Sequence, residues 1–472
     1  MKSLNFYYLA RRLFLEILKK LSRHGLRVFC LDTENGLHAE RYKRALFSIL
    51  ANVLSKGLSL ILMVISISLT IPYLGVERFG IWMTISSFVA LLGFLDLGIG
   101  NALTNRVASA AVKSREELAK VISGGLIILI GLGLLIGILL IMVSSYTPWE
   151  TLLKVNNPLL LPEIKDAGFC FAILFGLSIF SGGCQRIFLG LQQSYISHAF
   201  SGFGFLIGIL ALFVAAKYEA GIDTLLIIVF GSQVFANSLL FFVLVLRQQF
   251  QLRGSVAFAR VEFSQLFRAG AIYFLLQIGG IVGWGADSLI ISSTIGVTQV
   301  AVYAVVQRLF QIASQPFMVM NAPLWGAYAD AEAHSDKSFI RKTLKRSMTL
   351  TFFGAGSISF LLILFHTPII DRWTQGVIVA SLSLVIFCGV WSLLDACGNA
   401  FAMFLNGTNV IRQQLYAVTL FILLAIPLKF GLIEKLGLIA VPLATIAAYS
   451  IAVFSVYGYF CFRDIQKKLQ VN

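Results

Sequence analysis

Twelve stretches of this chain are apolar for longer than a soluble core requires, and that single feature removes most ways of folding it. They run roughly at 45–71, 79–103, 118–144, 166–189, 195–216, 222–246, 267–294, 298–325, 343–365, 377–405, 412–433 and 437–462. Each exceeds the about 20 residues that a helix rising ~1.5 Å per residue needs to cross about 30 Å of hydrocarbon. Composition agrees: 58% of the residues are hydrophobic and 12% charged, whereas soluble domains carry about 25% charged residues. Membrane barrels would show short alternating segments instead. The expectation is an all-α polytopic membrane protein of about twelve transmembrane helices.

The net charge of +15 raises the question of a nucleic-acid partner, and the placement of the basic residues answers it. They lie in loops and at the N-terminus, with no soluble basic domain to hold DNA or RNA, so the charge suits anionic lipid. With both termini inside, cytoplasmic segments carry 28 of the 37 Lys and Arg residues. The external loops hold seven: Arg78, Lys154, Lys165, Lys217, Arg372, Lys429 and Lys435. A consistent bias of this kind orients a membrane protein, here with both termini cytoplasmic, and suits an inner membrane. Lys56 and Arg308 remain, both inside spans.

Three segments follow. Residues 1–44 form a basic extension, in which Phe6, Leu9, Leu13, Ile17 and Leu21 share a face opposite Arg12, Lys19 and Arg23. Residues 1–29 read either as a helix lying on the cytoplasmic surface against anionic lipid or as a solvated tail. Residues 45–250 and 251–472 hold six spans each. The halves repeat weakly: Leu74-Gly75-Val76 answers Ile295-Gly296-Val297, Phe79-Gly80-Ile81-Trp82 answers Val300-Ala301-Val302-Tyr303, and Asn101-Ala102 answers Asn321-Ala322, at an offset of 220 to 221. Repeats of six helices are related by an axis along the membrane normal, as in transporters. The six cysteines form no CxxC pair, so neither a metal nor a disulfide is expected.

The run Tyr73-Leu74-Gly75-Val76-Glu77-Arg78-Phe79-Gly80-Ile81-Trp82, followed by Leu95-Asp96-Leu97-Gly98-Ile99-Gly100-Asn101-Ala102-Leu103, resembles the N-terminal signature of bacterial polysaccharide and O-antigen flippases. Ala286-Asp287-Ser288-Leu289-Ile290-Ile291, with Gly296 and Tyr303, resembles their seventh and eighth helices. The similarity covers residues 45–462. It implies the multidrug/oligosaccharidyl-lipid/polysaccharide exporter superfamily, with two pseudo-symmetric six-helix lobes around a central cavity and alternating access. The implied cargo is a polyprenyl-pyrophosphate-linked oligosaccharide, carried from the cytoplasmic to the outer leaflet for cell-surface polysaccharide. Drug antiporters share the architecture, so the fold alone does not choose the cargo.

Charges inside spans cost roughly 2.5 to 3.5 kcal/mol each and mark cavities. Lys56 lies near 16 Å into the first span and Arg308 near 15 Å into the eighth at ~1.5 Å per residue, so both are expected near the midplane. Asp287, at roughly 10 Å depth on the seventh span, is placed to reach Arg308. These three are the candidate substrate-binding residues, with the cations receiving pyrophosphate and Asp287 holding Arg308 ready. The alternative is a structural ion pair with Lys56 snorkelling. Asp395, about 15 Å into the tenth span, and Asp96 are candidate ion-coupling residues, Asp96 serving equally well as a cap. The spacings Gly133 to Gly137, Gly204 to Gly208 and Gly279 to Gly283 permit close helix approach. Pro72, Pro316 and Pro323 mark kinks.

No phosphate loop, HExxH or GxSxG sequence occurs, so the chain is expected not to be an enzyme and to need no cofactor. Two rivals remain: a cation-coupled multidrug antiporter, in which acidic cavity residues should dominate, and a membrane glycan polymerase or ligase, which needs a large external loop. The expected partners are the lipid-linked oligosaccharide, membrane lipids and a polysaccharide polymerase, around a monomeric carrier.

Overall fold

The computed structural model describes residues 36–92, 98–155, 157–247, 263–264, 266–268, 270, 285–408 and 410–456. The basic segment 1–29, Asp96, Gly279 and Gly283 lie outside the described residues. Met1–Phe47 forms one unit and Ser48–Asn472 another; of the first, residues 36–47 are described, all helical.

The described residues hold helices and no strand. In chain order they are α1 (Gly36–Leu92), α2 (Ile99–Lys113), α3 (Arg115–Tyr146), α4 (Trp149–Leu153), α5 (Leu161–Gly190), α6 (Ser194–Lys217), α7 (Ile222–Leu226) and α8 (Ser232–Leu246). They continue with α9 (Asp287–Ile295), α10 (Val297–Asn321), α11 (Leu324–Ala333), α12 (Lys337–Leu364), α13 (His366–Thr374), α14 (Leu382–Gly407), α15 (Ile411–Leu436) and α16 (Ala440–Val456). Among the described residues, eight helical segments are long and apolar enough to cross a membrane. Two of them, Phe47–Ser87 and Gln413–Val453, are 41 residues long, and each runs from one expected span into the next, past Gly75 and Gly437 respectively. The seventh span is described at residues 267–268 and 270 and from Gly285 onward, and the eighth is α10.

Local chemistry sets the boundaries. Ser114 accepts a hydrogen bond from the Glu117 amide at 3.1 Å, and Glu116 and Glu117 occupy the first turn of α3, the pattern of a capping box. Asp336 caps α12 in the same way through the Phe339 amide at 2.9 Å. Gly75 (φ 70°, ψ 177°) breaks α1, and Gly296 (φ 99°, ψ 160°) separates α9 from α10. A side chain strains both conformations. These are the two glycines paired by the internal repeat, so the repeat extends to backbone geometry.

Packing follows the small residues. A Cβ on Gly133 would stand 2.5 Å from the Gly176 carbonyl oxygen, and one on Gly176 2.7 Å from that of Gly133. The backbones of α3 and α5 therefore cross in contact, as small-residue membrane interfaces do. Gly204 and Gly208 seat α6 against Ala236 and Ser232 of α8. The faces away from these contacts carry Leu134, Met142, Leu210, Phe353, Phe360 and Leu423, all exposed. So much uncovered apolar surface fits contact with lipid and not with water.

One core joins the two halves. It takes Ile67, Ile71, Phe79 and Trp82 from α1 together with Ile291, Val300, Ala301 and Tyr303 from α9 and α10. The other cores lie apart: one within the first six spans plus Leu266, and two within the second six.

Candidate functional site

The shared core sits at the end of the molecule where α1 bends at Gly75 and α9 meets α10 at Gly296. There Gly80 packs so closely on the Val297 carbonyl that a Cβ would overlap it. Trp373 on α13 donates its indole N–H to the Val64 carbonyl at 2.9 Å, and the Ser68 hydroxyl donates to the Trp373 carbonyl at 3.3 Å. Lys154 donates to the Thr294 carbonyl at 2.5 Å. Arg78 makes a two-pronged bond to Glu163 at 3.1 and 2.6 Å, and Glu163 also accepts from the Ile222 amide at 2.9 Å. The Gly80, Trp373, Ser68 and Lys154 contacts close the lobes together at this end, while the Arg78–Glu163–Ile222 bonds tie elements within the first lobe; at the other end each lobe keeps its own core.

Arg308 lies just inside the closure. It is half-buried on α10, and its guanidinium approaches the Ser66 hydroxyl of α1 at 3.5 Å. No carboxylate pairs with it among the described residues. Since Arg guanidinium stays charged and recognises phosphate and carboxylate by its planar fork, a cation here with a neutral partner is a ready anion site.

Asp287 does not hold Arg308, contrary to the sequence expectation. Its Oδ1 accepts from Lys429 at 2.5 Å and its Oδ2 from the Tyr303 hydroxyl at 2.7 Å, with all three side chains buried. The reason is angular. Tyr303 and Arg308 are five residues apart on α10, which at ~3.6 residues per turn places them about 140° apart around the helix. Tyr303 faces into its own lobe and Arg308 toward the other. With both carboxylate oxygens engaged, Asp287 is internal to the second lobe.

Lys429 was assigned to an external loop by the sequence reading and is instead buried within α15, at 0% exposure. The helix runs on to Leu436, so Lys429 lies about 10 Å from its end, while Asp287 lies about 12 Å from the end of α9. Matching depths were the available signal.

Lys56 and Arg308 are not level either. Arg308 meets α1 at Ser66, ten residues beyond Lys56, which is about 15 Å along the helix axis. Lys56 is exposed, and its charge acts on His198 of α6. The turn of α1 that carries it packs on α6, where a Cβ on Gly202 would lie 3.7 Å from Leu58 and 3.9 Å from Ser55.

Two cavities lie inside the lobes. One, of about 390 Å³ between α5, α6 and the α7–α8 segment, is lined by Gln185, Arg186, His198, Gln233 and Asn237 among others. The other, of about 400 Å³ between α14, α15 and α16, contains Asp395, Asn399, Gln414 and Tyr449. The Asn399 side-chain oxygen is buried without a partner among the described residues. Among the described residues no group of three or more His, Cys, Asp and Glu side chains could hold a metal.

Comparison with known proteins agrees with this architecture. Residues 42–324, more than half of the chain, match the family described as polysaccharide biosynthesis protein. A protein of Yersinia pseudotuberculosis named for O-antigen export is 21% identical over 409 residues, covering 84% of this chain and 91% of that one. Among solved structures, an inward-facing multidrug resistance MATE family transporter of the MOP superfamily matches with a TM-score of 0.67 at 14% identity, covering 84% of this chain and 95% of the other. The lipid II flippase MurJ in an inward closed conformation matches with a TM-score of 0.61 at 17% identity, covering 90% of each. These likenesses give the chain the fold of two six-helix lobes. The chain belongs to the polysaccharide biosynthesis protein family.

Proposed function

We propose that this chain moves a polyprenyl-pyrophosphate-linked oligosaccharide from the cytoplasmic to the outer leaflet by alternating access. It is a transporter and not an enzyme, as the flippase and export relatives indicate. The observation that carries the choice of cargo is Arg308: a half-buried cation between the lobes whose partner is the neutral Ser66 hydroxyl. Lys56, about 15 Å away along α1, supplies a second cation at a different depth. An anionic head group thus meets positive charge at two depths along α1, Lys56 on that helix and Arg308 facing it from α10.

The Lys and Arg bias supports assigning the closed end to the outside, which makes this an inward-facing state. A wet route between the lobes removes a large barrier, since each unpartnered hydroxyl costs about 4 to 8 kcal/mol to bring into hydrocarbon. In a cell negative inside, outward movement of uncompensated negative charge is favoured by about 2.3 kcal/mol per charge per 100 mV. The antiporter reading draws on the MATE likeness and on Asp395, whose place in the second-lobe cavity suits a proton or cation. In the flippase reading Asp395 serves ion coupling.

The test is outward movement of a fluorescent polyprenyl-pyrophosphate oligosaccharide in vesicles. Arg308→Ala should lose most of the protein-dependent rate, and Arg308→Lys should retain part of it. An Arg308→Ala protein that folds and flips at the wild-type rate would remove the anion-receptor role.

A further inference from the structure

The first-lobe cavity has chemistry that the anion route does not use. Ser201 organises it. Gln185 donates its amide nitrogen to the Ser201 hydroxyl at 2.9 Å, the hydroxyl donates to the Asn237 side-chain oxygen at 3.0 Å, and Gln233 donates to the Ser201 carbonyl at 3.3 Å. This chain fixes both amides so that the Gln185 oxygen, an acceptor, and the Asn237 nitrogen, a donor, make no bond among the described residues. Both residues line the cavity.

An acceptor and a donor carried by two amides that share the Ser201 hydroxyl select a particular ligand group. A phosphate or carboxylate only accepts hydrogen bonds and leaves the Gln185 oxygen unsatisfied. An ammonium only donates and leaves the Asn237 nitrogen unsatisfied. A hydroxyl does both. No carboxylate lines the cavity among the described residues, so nothing there favours a cation. The cations nearby are Arg186, in the lining, and Lys56, within electrostatic reach of the lining residue His198. The volume, about 390 Å³, falls at the small end of the roughly 300–1,000 Å³ of ligand pockets, enough for a small part of a glycan.

We propose that the cavity between α5, α6 and the α7–α8 segment is a saccharide subsite, in which Gln185 and Asn237 bind a sugar hydroxyl of the cargo while the neighbouring cations face its pyrophosphate. The proposal rests on the lipid-linked cargo reading and adds to it: charge selects the head group, and neutral amides select the sugar.

The experiment measures binding to the full-length protein in nanodiscs of two probes, a polyprenyl pyrophosphate without sugar and the same lipid carrying a neutral disaccharide. The wild type should bind the sugar-bearing probe about tenfold more tightly. Gln185→Met and Asn237→Leu should each lose most of that preference while leaving affinity for the sugar-free probe unchanged, which also shows that the variants are folded. Equal wild-type affinity for both probes overturns the subsite and leaves the anionic-lipid reading intact. A preference that survives in both variants places sugar recognition elsewhere and also overturns it. Failure of the wild type to bind either probe refutes the cargo reading, and the subsite with it.

Discussion

The buried group of Asp287, Lys429 and Tyr303 should hold the second lobe together, and its energetics can be tested by taking it apart in two ways. Lys429→Met leaves a carboxylate with one oxygen stripped of its partner in an interior where Lys429 is 0% and Asp287 4% exposed. Removing one member of such a pair costs about 3 to 5 kcal/mol, because the remaining charge is uncompensated. Asp287→Asn takes the carboxylate away from the Lys429 ammonium and should cost a similar amount. The double variant Asp287→Asn/Lys429→Met removes both charges and should recover most of the loss, since a buried pair often contributes little net stability over neutral replacements. Tyr303→Phe removes only a hydrogen bond to a charged acceptor, about 1.5 to 3 kcal/mol. The assay is thermal unfolding in detergent followed with a thiol-reactive fluorophore, because Cys184 and Cys388 are buried and free and become reactive on unfolding. The predicted order of apparent melting temperature is wild type, then the double variant and Tyr303→Phe, then the two single charge variants. Single variants that melt with the wild type, or a double variant whose loss equals the sum of the singles, would refute the reasoning.

Three further outcomes follow from the closed end and the second cavity. Gly80→Val places a side chain against the Val297 carbonyl, and so should hold the lobes apart at that end. A cysteine introduced at Ser68 should then label faster with a membrane-impermeant thiol reagent added from that side, and unchanged labelling would exclude Gly80 as a contact the closure requires. Trp373→Phe removes one hydrogen bond to α1, about 0.5 to 1.5 kcal/mol. It should raise the same labelling rate by a few-fold to roughly tenfold, and no change would mean the bond does not bias the closure. Asp395→Asn should abolish any dependence of transport on a proton or sodium gradient while gradient-free movement persists; dependence retained in full would dismiss Asp395 as the coupling group.

Much of this architecture was legible from apolar periodicity, because lipid imposes a length requirement that few sequences meet by chance. The pairing of Gly75 with Gly296 was readable for a related reason: a positive φ leaves glycine at both repeats. The site was less legible. Lys429 was counted with the external loop although it falls four residues inside the apolar run at 412–433; α15 continues past it to Leu436. The match of Asp287 to Arg308 followed depth alone and ignored the turn of the helix, which sends Tyr303 and Arg308 in different directions. The first-lobe cavity was invisible to a search for charges, since Gln185, Ser201, Gln233 and Asn237 are neutral and come from three different helices. The expected packing role of Gly204 and Gly208 appears in the contacts of α6 with α8.

The central claim is that the cargo is an anionic saccharide lipid. Its most direct test is to reconstitute the wild-type protein in vesicles bearing a fluorescent polyprenyl-pyrophosphate oligosaccharide and to follow outward movement, with a cationic drug assayed in parallel. The account predicts protein-dependent movement of the lipid-linked sugar and none of the drug. Drug movement without lipid movement would contradict it and place the chain's function with the antiporters.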